Sequence, residues 1–298
     1  MRLTTHSLPG RDGFYVGADL YVPDAVGGEP AAAVAGFVLL HGFGGKRAHL
    51  AALAARLAAA GCAVLLPDMS SLFSGPREAA QLRNVRAFAD HAEWLVAQRG
   101  TGGGALVDPA RLVLGGHSAG GAVSFEACAE LAARGGETRA AACVLLDGVP
   151  WPRTMREAAG AFPLQRTVIV SLRAEPSAWN KRAEVLKALA ATAAGAAGCN
   201  LDERIIDVLI RGSRHADPIA SPGTSFFLLR ALGLIGPATA NEAFAELIAA
   251  IAADARAAGA TPLSEVSALT AFGAAVAAMR ARGAVEVMSG SALGPTRS

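Results

Sequence analysis

Ser118 lies in Gly116-His117-Ser118-Ala119-Gly120, a G-x-S-x-G pattern that follows the apolar run Leu112-Val113-Leu114 and precedes a helix-forming run beginning near Ala122-Val123. A serine on a sharp strand-to-helix turn sits at a strained backbone angle. It needs small neighbours, because a Cβ at the flanking positions would strike the adjoining strand or helix. The helix N-terminus behind the turn supplies N–H groups and a positive dipole end, which suit a developing oxyanion. A serine hydroxyl is a poor nucleophile at neutral pH and needs a neutral imidazole to take its proton. That imidazole needs a carboxylate on its other nitrogen, to fix the tautomer and stabilise the imidazolium. His215 follows a late apolar segment, Ile205–Ile210, and Asp147 ends an earlier one, Ala141–Leu146. Serine, then acid, then histidine is the chain order expected behind such an elbow.

These residues need elements to carry them. Gly13–Pro23 alternates and stops at a proline, as an antiparallel edge strand would. Gly36–Leu40 and Cys62–Asp68 are continuous apolar runs, the mark of strands buried on both faces. Further strands are expected at Leu112–Leu114, Ala141–Asp147, Thr167–Leu172 and Ile205–Ile210, the last of the chain. Between them Leu50–Ala60, Gln81–Gln98 and Lys181–Ala194 read as helices. Segments 225–232, 241–257 and 263–282 read as helices that fill the remainder. Strands alternating with helices predict an α/β fold with a mostly parallel central sheet and helices on both faces. Residues 1–298 are expected to form one domain, with a core over about 10–257 and a C-terminal helical extension over 258–298. In such a sheet reactive groups belong at the carboxyl ends of strands, where His41-Gly42-Phe43, Ser118, Asp147 and His215 fall. His41 reads as structural, since its backbone leads into Gly42-Phe43. His117 reads as a packed neighbour of the serine, because adjacent side chains on a tight turn point apart. Asp68 is expected to bond to nearby backbone.

Composition narrows the function classes. In 298 residues, 52% are hydrophobic and 17% charged, ample for a core and meagre for a disordered tail. A net charge of +2, with arginines scattered, lacks the basic footprint of nucleic-acid binders, so no nucleic-acid partner is expected. The four cysteines are far apart without a C-x-x-C pair, and Cys62, Cys128 and Cys143 lie in apolar segments where they pack as small hydrophobes. No apolar run reaches the roughly 18 residues of a membrane span, and the first residues lack a signal-peptide core. A cytoplasmic protein without stable membrane insertion is expected. No His-x-x-x-His or carboxylate-rich cluster implies a metal, and Gly102-Gly103-Gly104 lacks the lysine-serine pair of a phosphate cradle, so no cofactor is expected.

Over about residues 10 to 257 the sequence resembles an α/β-hydrolase, and within that superfamily the chlorophyllase, dienelactone-hydrolase and bacterial polyester-hydrolase (cutinase-like) branch. The matching residues are Leu20-Tyr21-Val22-Pro23, Leu40-His41-Gly42-Phe43-Gly44-Gly45, Gly116-His117-Ser118-Ala119-Gly120-Gly121 and Pro150-Trp151. Chlorophyllases usually carry arginine directly after the serine, where this chain has Ala119. The resemblance implies an ester hydrolase with the Phe43 and Ala119 amides as oxyanion hole. It leaves two acids open: Asp147 at the chlorophyllase-like spacing, and Glu175, after the next strand, where polyester hydrolases carry theirs. The expected substrate is a small to medium apolar ester, with Phe43 and Trp151 walling its acyl side. Trp179 and Phe226-Phe227 are candidates to line the cleft, and 225–234 to form part of a lid. Thioester hydrolysis and acyl transfer use the same machinery, and a non-catalytic ligand-binding member of the fold is the reading from another class.

Overall fold

The computed structural model describes residues 1–10, 14–24, 33–69, 77–100, 102–149, 158–176, 180, 204–219, 235–258 and 269–288. Trp151, Trp179, Phe226, Phe227, Cys199 and the helices expected over 181–194 and 225–232 lie outside the described residues. The strands are β1 (Arg2–Pro9), β2 (Tyr15–Val22), β3 (Val34–Leu40), β4 (Ala63–Pro67), β5 (Val107–His117), β6 (Ala142–Leu146), β7 (Val168–Arg173), β8 (Ile205–Ile210) and β9 (Val285–Met288). The helices that cover them are α1 (Ala51–Ala59), α2 (Arg77–Ala97), α3 (Ala119–Arg134), α4 (Ala238–Ala257) and α5 (Thr270–Ala281). None of the described helices is long and apolar enough to cross a membrane.

The strands form one sheet in the order β1-β2-β4-β3-β5-β6-β7-β8-β9. β4, β3, β5, β6, β7 and β8 are mutually parallel, while β1, β2 and β9 join antiparallel at the edges. The interior runs explain the pattern. Every residue of β4 and β6 is buried, as strands covered by helices on both faces must be. On one face α1, α4 and α5 contribute Leu57, Phe244, Leu247, Ile251, Phe272 and Met279 to a core shared with Phe37, Val64 and Val144. On the other, α2 and α3 pack Phe88, Leu95, Val123 and Leu131 against Val38, Leu65 and Leu114. This is the α/β-hydrolase fold.

Three expectations change. The strand from Tyr15 to Val22 is not an edge, because Arg2–Pro9 pairs along its whole length and β4 takes its other side. Arg2-Leu3-Thr4-Thr5-His6-Ser7-Leu8-Pro9 is mostly exposed, so its sequence carries no apolar run to betray a strand. Nor is β8 the last strand: Val285–Met288 pairs antiparallel with it. Only four residues long, with Val285 alone buried, β9 is too short to break a helical pattern. After residue 257, the described stretch 269–288 is therefore not purely helical, and it packs against the sheet. Phe272, Val276 and Met279 of α5 enter the same core as α1 and α4, and Asp254 of α4 accepts bonds from the Ala271 and Phe272 amides, both at 2.8 Å, anchoring the start of α5.

The sheet reverses its order of winding at β3, which has β4 on one side and β5 on the other. A crevice opens at such a switch point beyond the carboxyl ends of the strands. Here α3 leaves β5 so closely over β3 that the backbones nearly touch. A Cβ on Gly120 would lie 2.3 Å from Leu40 O and 2.5 Å from His41 O, and one on Gly116 2.6 Å from Leu40 O. Since the obstacles are backbone, no rotamer change relieves them. Gly120→Ala is accordingly expected to cost about 3 kcal/mol or prevent folding, whereas Gly136→Ala, which meets nothing within 4 Å, stays near wild type. Chemical denaturation of the two variants checks the contrast.

Candidate active site

Ser118 stands between β5 and α3 at φ 54°, ψ −121°, and Asp147, one residue after β6, has φ 47°. Among the described residues they are the non-glycine positions with positive φ. Each costs on the order of 1–3 kcal/mol and persists only where its surroundings over-determine it. Those surroundings are visible. The Ser118 amide donates to Leu146 O at 3.1 Å, and its carbonyl accepts from Gly121 N and Val149 N, both at 3.0 Å. The Asp147 amide donates to Leu172 O at 2.7 Å. The two turns thus brace one another at the ends of adjacent strands.

His215 arrives from the turn after β8. Its Nδ1 lies 2.5 Å from Asp147 Oδ2 and its Nε2 2.9 Å from Ser118 Oγ. Nδ1–H donates to the carboxylate, which leaves the Nε2 lone pair facing the serine hydroxyl. Asp147 is buried, 3% exposed. Its Oδ1 accepts from the Ala174 amide at 3.0 Å, and the Asn180 amide nitrogen lies 2.9 and 2.8 Å from its two oxygens. The structure therefore brings Asp147 and not Glu175 to His215. Glu175 Oε1 instead accepts from the Gly212 amide at 2.8 Å, holding the turn that delivers the histidine. Asp217 does the same from the far side, accepting from Arg214 N at 2.6 Å and Gly236 N at 2.9 Å.

The loop after β3 closes the other flank. His41 is 1% exposed; its Nδ1–H donates to Gly42 O at 2.8 Å and its Nε2 accepts from Met69 N at 2.9 Å. With one nitrogen donating and the other accepting, the ring is neutral, and burial holds its pKa below the usual histidine value. This is the structural role its position implied. Asp68 accepts from Arg47 N at 2.9 Å and pairs with the Arg47 guanidinium, which also meets Asp19 at 3.0 Å. Gly42 lies against the elbow: a Cβ there would be 3.0 Å from Ser118 Cβ. The next residue, Phe43, is 60% exposed, and Ala119 is the first residue of α3. His117 is buried, and burial followed by the nearby His215 pushes its pKa down to about 4. Cys62, Cys128 and Cys143 are buried free thiols, Cys62 pushed up to about 12 by burial.

Sequence reasoning passed over Asn180, Asp217 and the supporting use of Glu175. Asn180 lies between Trp179 and Lys181-Arg182 in sequence, and nothing in its spacing ties it to Asp147. Asp217 left a trace, an Asp-Pro two residues after His215, a common turn initiator.

The strand-to-helix turn that carries Ser118 stands beside the switch point of this sheet. The chain belongs to the alpha/beta hydrolase family, whose sequence model matches residues 37–291. Its fold is similar to an esterase of the archaeon Pyrobaculum calidifontis (18% identity, 86% of each chain covered, TM-score 0.59). It is similar also to esterase 2 of the planctomycete Thermogutta terrifontis (15% identity, 78% of this chain and 94% of that one, TM-score 0.53). A third likeness is to a dienelactone hydrolase-like promiscuous phosphotriesterase, P91, from metagenomic libraries (19% identity, 85% of this chain and 99% of that one, TM-score 0.59). At these identities the likeness is one of fold. No curated protein matches the sequence.

The buried histidines make stability depend on pH. His41, His91 and His117 are all held below the ordinary value of 6.5 by burial, His117 at about 4. Between those values the unfolded chain binds more protons than the folded one, so stability is full above about pH 6.5 and falls as pH drops towards 4. For His117 the loss amounts to on the order of 3 kcal/mol. Asp207, buried and raised, acts in the opposite sense, so the informative quantity is a difference. Urea denaturation at pH 7 and pH 4.5 is expected to show a smaller acid loss in His117→Gln than in wild type.

Proposed function

We propose that the protein is a serine hydrolase acting on carboxylic esters through an acyl-enzyme. Ser118 is the nucleophile, His215 the general base and acid, and Asp147 the carboxylate that orients it. The observation that carries the reading is the unbroken line from Asp147 Oδ2 through His215 to Ser118 Oγ, at 2.5 and 2.9 Å.

Ser118 Oγ attacks the ester carbonyl carbon as His215 Nε2 takes its proton. The tetrahedral oxyanion is held by the Phe43 and Ala119 amides, at the loop after β3 and the N-terminus of α3. Its collapse breaks the bond to the alcohol, which leaves with the proton from His215. Water then attacks the acyl-serine with the same proton traffic and releases the acid. Asp147, held by bonds from the Ala174 amide and the Asn180 side-chain amide, faces the transient imidazolium. The proposed substrate is a small to medium apolar ester, with Phe43 and Trp151 against its acyl portion. The chain as a whole, 1–298, would act as one catalytic unit in the chlorophyllase, dienelactone-hydrolase and polyester-hydrolase branch. Structural neighbours named as esterases support this reaction class, and one of them, the Thermogutta esterase 2, is described phosphoramylated by tabun.

A fluorophosphonate probe is expected to label Ser118 in folded protein, and Ser118→Ala to abolish both labelling and hydrolysis of p-nitrophenyl esters. Absence of a Ser118 adduct would favour a non-catalytic binder. A panel of rising acyl length, run beside the matching thioesters and with added alcohol acceptors, separates ester hydrolysis from thioester hydrolysis and acyl transfer. Asp147→Asn should lower kcat by about 10³- to 10⁴-fold, while Glu175→Gln, which only slackens the turn at Gly212, should stay within about tenfold. The reverse ranking would move the acid to Glu175.

A further inference from the structure

His117 precedes the serine, and the mechanism above gives it no part. It is 4% exposed, and its Nε2 lies 2.6 Å from the main-chain carbonyl oxygen of His215. A carbonyl only accepts, so the ring proton is on Nε2 and Nδ1 carries a lone pair. That Nδ1 is buried without a partner. It faces the loop after β3, where a Cβ on Gly42 would come within 2.9 Å of it. The rings of His117 and His215 stand 4.8 Å apart, tilted by 39°. One edge of the His117 ring therefore rests on Gly42 and the other grips the backbone of His215.

We propose that His117 is a positioning residue for His215, holding the base's main chain through its Nε2–H so that His215 Nε2 stays within reach of Ser118 Oγ. The inference rests on the serine-hydrolase reading of the site. The topology of the contacts argues for it. His117 and Ser118 are successive residues, and each bonds to His215, one to its backbone and one to its ring. The bonds close a small ring of contacts through the peptide that joins nucleophile and neighbour, independent of the Asp147 bond on Nδ1. Asp147 fixes the tilt of the imidazole, while His117 fixes the point from which the side chain springs. A residue present only for packing needs no nitrogen there, and a ring that leaves Nδ1 bare in the interior gains its polar return from Nε2 alone.

The neutral tautomer is what allows this. A second proton would have to sit on Nδ1, in a wholly buried place beside Gly42 with no acceptor. The charged and titratable groups that act on the ring are His215 and His49, which oppose protonation, and Asp147, which favours it; burial outweighs all of them.

The test compares His117→Leu, His117→Gln and His117→Asn in the full chain. Glutamine can place an N–H where Nε2 stands; leucine cannot donate, and asparagine is too short to reach. Expected for leucine and asparagine is a loss of about ten- to a hundredfold in kcat on p-nitrophenyl butyrate with KM little changed, and an equal loss in fluorophosphonate labelling rate. Glutamine should stay within about threefold of wild type. Proton NMR gives a readout independent of turnover: the strongly downfield His215 Nδ1–H signal expected from the 2.5 Å bond should broaden or vanish in the leucine and asparagine variants and persist with glutamine. Leucine and asparagine variants that keep wild-type kcat and an unchanged downfield signal overturn the proposal. So does a glutamine variant that loses as much as leucine at equal melting temperature. If wild-type protein neither labels nor hydrolyses, the serine-hydrolase reading fails, and the NMR comparison alone then decides whether His117 holds His215. Should the leucine variant not fold, glutamine against asparagine carries the same contrast.

Discussion

The near contact of two backbones, the first turn of α3 and the end of β3, is the constraint on which the rest depends. Leu40 O and His41 O occupy the space that side chains at Gly116 and Gly120 would need. Only this approach lets the loop after β3 and the N-terminus of α3 face a common point, one from each side of the switch in strand order. Widening the gap by a methyl group would separate Gly42 from Ser118 and undo the geometry before any reactive side chain was touched.

Strain is distributed in the same spirit. Ser118 and Asp147 both carry positive φ, and each is pinned by hydrogen bonds from a neighbouring strand end. Sheet, turn and side chain are therefore not separable contributions. The parallel register that sets Leu146 beside His117 and Leu172 beside Leu146 also sets the carbonyls that receive the Ser118 and Asp147 amides. The His215 turn takes such a bond at its first residue, where the Arg211 amide donates to Ala284 O at 2.9 Å. Beyond that it is tethered by side chains: Glu175 to Gly212, Asp217 to Arg214 and Gly236, and Ser213 Oγ to Ile210 O at 2.6 Å.

What could be read from the sequence follows from the same physics. Strands buried on both faces announce themselves as unbroken apolar runs, so β3 through β8 were legible, and the glycines around Ser118 marked the elbow. Exposed or very short strands have no such signature, which is why β1 and β9 were missed, and with them the placing of residues 15–22 away from the edge. The choice between Asp147 and Glu175 was illegible for another reason. Both follow strands that end on the same side of the sheet, and only the direction in which each side chain leaves its turn tells them apart. Asn180 was out of reach because a single amide clamping a carboxylate from more than thirty residues away, 33 in sequence, leaves no local pattern.

The two strands that end the sheet also decide how open its ladder is. A parallel sheet rich in valine, leucine and isoleucine would be a ready template for lateral growth if its ladder stood open. Here the strands that end the sheet are the least hospitable in it. β1 presents Arg2, Thr4, Thr5, His6 and a closing proline, and β9 is four residues long with Glu286 in its middle. The sheet is thus bordered by one mostly exposed strand and one very short one, features that natural sheets use to blunt their edges. The segments least visible as structure in the sequence are the ones that close the sheet at its two sides.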